Sequence, residues 1–194
     1  MTIPDRMQPS NLLLILSDEH NPKVLGCAGH REIRTPNLDS LATRGIRFTE
    51  ANCLSPICVP ARAALATGRP IFETGYWDNV DAYDGKTPSW HHLLRDQGHD
   101  VVSIGKLHYR GWNGDDYGFS ESLLPMHIHN GRGELKMLLR DPPGDLGDGS
   151  NLLRSARAGE SDYTRYDDDI CDSAVEWLRQ AGAHPRSKPW VLMV

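Results

Sequence analysis

The stretch Cys58-Val59-Pro60-Ala61-Arg62 sets a nucleophilic sulfur one helical turn ahead of a cation. Residues of these types at this spacing can attack a centre that carries an anion, with Arg62 as the clamp on the charge. The local pattern predicts a helix. Pro60 suits a first turn, the run Ala63-Ala64-Leu65-Ala66 propagates well, and Gly68, ahead of Arg69, stops it. Cys58 then lies at or just before the helix N-terminus, where free N–H groups and the macrodipole favour a thiolate or a bound oxyanion. Arg62 falls on the same face, so its guanidinium can reach a tetrahedral anion held near residue 58.

Two further groups of polar side chains follow apolar runs. Asp18-Glu19-His20 comes directly after Asn11 to Ser17, and Lys106 and His108 come directly after Asp100 to Gly105. Neither run alternates, which predicts strands covered on both faces in a parallel sheet. In such sheets ligands gather beyond the carboxyl ends of the strands, where both groups emerge. Lys106 and His108, one residue apart in extended chain, project to the same side. By residue type alone, acids after a strand also fit a loop or cap, and Lys and His also fit an ordinary surface.

The elements that must position these groups can be read in order. Gly26 to His30 is turn-like. Thr35 as N-cap, Pro36, the apolar stripe Leu38/Leu41/Ala42 and Gly45 predict a short amphipathic helix. Ile46 to Thr49 alternates like a strand leading to the Cys58 loop. Tyr76 to Thr87 is a polar loop containing Asn79, with Trp77 and Trp90 read as packing residues. Ser89 to Arg95 predicts a helix ended by Gly98; His91 and His92 point to different sides of it and are read as non-catalytic. From Arg110 to Asp162 glycines and prolines loosen the pattern, helical periodicity returns only over Leu135 to Leu139, and Met126, His127 and His129 are candidates for a pocket wall. Tyr166 to Gln180 is helical, with Ile170, Ala174, Trp177 and Leu178 as its buried stripe and Asp167-Asp168-Asp169 assigned to the first-turn dipole rather than to calcium. Pro189 to Val194 begins another strand.

Bulk properties narrow the function classes. With 194 residues and a net charge of -5, the chain can form one domain with a real core and offers no reason to expect nucleic acid or an acidic membrane surface as partner. Mean hydropathy of -0.50 and the absence of a long apolar run predict a soluble protein, and residues 1–10 lack the apolar core of a secretory signal, so the expected location is cytoplasmic. Four cysteines at irregular spacing do not make a disulfide scaffold; Cys27, Cys53 and Cys171 are read as small, partly buried packing residues.

Pro56 to Arg62 with Thr67-Gly68 resembles the C-x-P-x-R signature of the formylglycine-dependent, type I sulfatases of the alkaline phosphatase superfamily. Val59 and Ala66 depart from the usual residues there. Gly98 to His108 is similar to the second signature of that family, with Gly-Lys-x-His intact, and Thr35 to Ala42 is similar to an architectural segment of it. The resemblance implies an α/β fold, a sulfatase-like sandwich with a mainly parallel central sheet and helices on both faces, here incomplete. Residues 1–194 would be the N-terminal part of the catalytic domain, with the remaining sheet and a C-terminal subdomain lying beyond.

The resemblance further implies that Cys58 is oxidised to formylglycine, which makes a formylglycine-generating or equivalent maturation enzyme a partner. Its hydrated aldehyde would be the nucleophile. Asp18, Glu19 and the modified Cys58 would hold a divalent metal, Ca²⁺ from the hard-oxygen donors, with Mn²⁺ or Mg²⁺ as alternatives. Arg62 and Lys106 would carry the sulfate charge, and His108 would lie near the leaving oxygen. Asn79 stands at the offset at which choline sulfatases and phosphonate monoester hydrolases place an asparagine beside the transferred group. The implied substrate is a small organic sulfate ester, and the phrases Asp78-Asn79 and Tyr166-Asp167-Asp168 lean toward choline-sulfatase-like members. The rival within the same chemistry is a phosphonate monoester or phosphodiester hydrolase, in which Tyr and Thr typically stand at the Lys106 and His108 positions. A rival of another class is a catalytically incompetent fragment whose unpaired terminal strand invites a complementing C-terminal portion or a second copy.

Overall fold

A computed structural model describes residues 10–128, 158–184 and 186–194. The chain divides into two compact units, one of Leu16–Cys53 and one of the remaining residues. His129 and Leu135 to Leu139 lie outside the described residues.

The larger unit is built on a parallel sheet of β1 (Leu12–Leu14), β2 (Asp100–Lys106), β3 (Glu121–Met126) and β4 (Trp190–Met193), in the order β1-β4-β2-β3. β4 is therefore paired on both sides, Leu13 and Val102 both aligning with Leu192. This corrects the expectation of an unpaired terminal strand. Its Val-Leu-Met core has no polar alternation because both edges and both faces are occupied. β2 is likewise buried on alternate residues of both faces, as its sequence predicts. β1 departs from expectation: it spans three residues, with Leu12 and Leu13 largely exposed.

β3 is the strand that periodicity missed. Pro125 lacks an N–H for a ladder, which argues against a central strand, and β3 resolves the conflict by lying at the edge of the sheet among the described residues. Its register with β2 shifts: Ile104 aligns with Leu123 but Lys106 with Met126, so Leu124 and Pro125 together oppose Gly105. Leu124 takes a positive φ of 49° and Gly105 one of 100°, the backbone signs of this bulge.

Around the sheet lie α2 (Cys58–Thr67), α3 (Ile71–Thr74), α4 (Trp90–Asp96) and α5 (Asp162–Ala183). α5 starts earlier than its apolar stripe suggested, because Ser161 and Thr164 form a capping box. Asp167 to Asp169 thus sit beyond the first turn, and only Asp162 fits the dipole explanation. The stripe itself holds: Ala174 and Trp177 join Val102, Ile104 and Leu192 in a core flanked by Ile170 and Leu178. Trp177 also meets Trp190 edge-on at 5.1 Å. α4 packs against β2 as well, and α2 against α4. Ser89 caps α4 in a capping box with His92, while His91 is buried between Trp90 and Phe119.

In the smaller unit a short helical turn (Gly26–Ala28) docks on α1 (Pro36–Arg44). Thr35 does not cap α1 with its side chain. Its hydroxyl instead accepts from the Gly26 N–H and donates to Asp39, whose carboxylate also takes the Cys27 N–H at 2.7 Å. Residues 46–49 form no strand, and Ile46 and Phe48 are exposed. Cys53 and Cys171 are exposed rather than packed, whereas Cys27 is partly buried; Trp77 is 60% exposed and no packing residue.

Candidate active site

α2 begins where the sequence sets its start. Ile57 is extended, Cys58 is the first helical residue, and Gly68 closes the helix in the left-handed region with its N–H on the Ala64 carbonyl. The small residues Ala63, Ala64 and Ala66 let α2 bury one side almost completely. Its first turn has fewer free donors than the sequence suggests. Pro60 has none, the Ile57 N–H faces Ser55 Oγ, and the Val59 N–H donates to Asn79 Oδ1 at 3.0 Å. Asn79 therefore comes to the mouth of the helix from a distant loop and caps it, which sequence spacing alone did not reveal.

Arg62, one turn along, is 6% exposed. Its Nη1 donates to the carbonyl of Lys106 at 2.5 Å, tying α2 to the end of β2. The Lys106 ammonium in turn lies 3.9 Å from Cys58 Sγ. α2 and the end of β2 thus meet twice, through the Arg62 guanidinium on the Lys106 carbonyl, 44 residues apart, and through the Lys106 ammonium beside Cys58 Sγ. The phenols of Tyr109 and Tyr166 feel the Arg62 charge, which works against the burial that pushes both upward.

His108 lies two residues beyond Lys106. Burial alternates through Lys106, Leu107, His108 and Tyr109 as an extended segment would, although His108 itself takes a φ of 51°. The N–H groups of Leu107 and His108 both donate to the Met126 carbonyl, at 3.1 and 2.8 Å. The turn that carries His108 therefore hangs from the end of β3. Met126 is partly exposed, and His127 packs beside Tyr117, with burial lowering its pKa.

Asp18 and Glu19 belong to the smaller unit, where both are exposed and Glu19 takes a φ of 54°. Among the described residues no three His, Cys, Asp or Glu side chains gather into a metal-binding group. Tyr166 was not singled out for the site from its spacing. Extending the stripe Ile170/Ala174 back by four residues would have reached it.

A family model described as Sulfatase matches residues 10–194. The chain belongs to the sulfatase family. Its sulfatase relatives include YidJ of Escherichia coli strain K12, 29% identical over 193 residues that cover 97% of this chain and 38% of YidJ. The choline-sulfatase of Rhizobium meliloti is 34% identical over 113 residues, 58% of this chain and 22% of that enzyme. Among solved structures, the phosphonate monoester hydrolase of Agrobacterium radiobacter superposes with a TM-score of 0.63 at 23% identity, over 96% of this chain and 40% of the hydrolase. That likeness supports the α/β fold expected of a sulfatase. The chain spans 18% to 38% of the length of the curated relatives it matches.

Proposed function

We propose that this chain forms the N-terminal part of the catalytic domain of a cytoplasmic sulfatase that releases sulfate from a small organic sulfate ester, with residue 58, converted to formylglycine, as nucleophile. The observation that carries the reading is the Lys106 ammonium 3.9 Å from Cys58 Sγ at the mouth of α2. Formylglycine would contribute a hydrated aldehyde whose one hydroxyl attacks sulfur and whose other later expels sulfate.

The chain's own residues then divide the work. Lys106 and the start of α2 neutralise the sulfate charge. Arg62 holds the Lys106 backbone and adds positive potential from behind. His108 delivers a proton toward the leaving oxygen, and Asn79 fixes the helix mouth against the reacting group. Asp18 and Glu19 carry the hard oxygens that a divalent cation such as Ca²⁺ takes, though they supply only two side chains of the about six to eight ligands Ca²⁺ gathers. When bound, the cation would polarise a sulfate oxygen. Lys106 and His108 favour sulfate over a phosphonate ester, for which that branch of the superfamily uses Tyr and Thr.

Choline sulfate, an aryl sulfate and a phosphonate monoester, assayed side by side with the complete protein, test this. Turnover of a sulfate ester that disappears in Cys58→Ala is the expected result, with an intact mass showing thiol converted to aldehyde in the parent. Undiminished sulfate release from Cys58→Ala would refute it.

A further inference from the structure

The bulge between β2 and β3 carries an unusual burden. Leu107 and His108 both hang from the Met126 carbonyl, yet the ladder just before Met126 is broken by the positive φ of Leu124 and by Pro125, which has no N–H to give. Backbone groups left open at such a break pair with water or with a side chain from elsewhere.

That partner comes from α5. The Tyr166 hydroxyl donates to the Leu124 carbonyl at 2.6 Å. One side chain therefore holds the residue just before Pro125, inside the bulge. Four residues on, Ile170 closes the other strand of the bulge: a Cβ at Gly105 would stand 2.7 Å from Ile170 Cδ1. Tyr166 and Ile170 share one face of α5, so a single helix turn grips β3 and β2 where the ladder fails.

We infer that Tyr166 is a positioning residue: its hydroxyl ties off the β3 bulge and so fixes the turn that presents Lys106 and His108. It acts on the backbone behind those two side chains. The effect on turnover rests on the sulfatase reading above; the effect on the backbone does not.

Tyr166→Phe keeps the ring and removes only the hydroxyl, so it separates bridging from packing. Hydrogen exchange of the complete protein should show the Leu107 and His108 amides exchanging about five- to tenfold faster in Tyr166→Phe, the change expected from one lost hydrogen bond, with the Val102 and Leu192 amides unchanged. Tyr163→Phe, at a 70% exposed tyrosine on the same helix, should leave all four amides alone. With a sulfate ester, kcat should fall about fivefold while KM stays within about twofold, because loosened groups still bind the anion but align less often. Faster exchange in a protein that turns over no sulfate ester would uphold the positioning role and count against the sulfatase reading alone. Unchanged exchange at Leu107 and His108 would overturn the inference, whatever the kinetics show.

Discussion

The guanidinium of Arg62 donates to the backbone carbonyl of Lys106 at 2.5 Å, so a charged hydrogen bond ties the helix that carries Cys58 to the strand that carries Lys106. Arg62 is buried, and a charge-assisted bond in that setting is stronger than a neutral one. Arg62→Ala should lower unfolding stability by about 2 kcal/mol, the range for hydrogen bonds to charged groups. Arg62→Lys restores charge without the planar fork and should recover less than half of that loss. Urea unfolding of the three proteins checks both figures, and a neutral Arg62→Ala would show that the bond contributes nothing.

Asn79 accepts the Val59 N–H at the start of α2. Asn79→Ala should cost about 1 kcal/mol, as for loss of a helix cap. Asn79→Asp separates stability from binding. A carboxylate beside a helix N-terminus maintains the fold, by about 0.3–1 kcal/mol of dipole interaction, yet it repels an anionic ester at the same place. Thermal melts should therefore place Asn79→Asp at or above the parent while KM for a sulfate ester rises.

His91 makes stability depend on pH. Tyr117 O only accepts, so His91 Nδ1 donates to it at 3.1 Å, and Nε2 is buried without a hydrogen-bond partner among the described residues. Burial, with help from the neighbouring His92, lowers the His91 pKa from 6.5 to about 4. Between those values the unfolded chain binds a proton that the folded chain refuses. Stability is thus fully present above pH 6.5 and declines as pH falls toward 4, by on the order of 3 kcal/mol in all. His91→Phe, a ring of similar size against Phe119 and Trp90, should flatten that decline in denaturant titrations at pH 7.5, 6 and 4.5. An unchanged slope would remove His91 as its source.

The site was legible in the sequence where one element supplies both spacing and chemistry. Cys58, Pro60, Arg62 and Gly68 lie on one helix, so local rules sufficed to place them. Lys106 could be put at a strand end because the Val101 to Gly105 stretch before it carries no charge and reads as a buried strand. What pairs across the chain was not legible. The Asn79 cap and the Arg62 bond to Lys106 join residues 20 and 44 apart, and no local pattern encodes them. β3 was hidden for a different reason: Pro125 and the positive φ of Leu124 are signs of loop, and only the edge position makes them compatible with a strand. The strand expected at residues 46–49 failed because alternation over four residues is satisfied equally by an exposed irregular segment.

The place of β4 has a consequence for how the molecule assembles. β1 and β2 never touch as neighbours; each pairs with β4, and the Trp190 N–H bond to Asn11 Oδ1 closes a span of 179 residues. Until that strand is available the early strand lacks the partner it pairs with among the described strands, and a closure between residues so far apart carries an entropic cost that local contacts do not. During synthesis β1 should therefore wait unpaired while β2, β3 and α4 form a local nucleus. The insertion of β4 is then the event that turns separate pieces into one sheet.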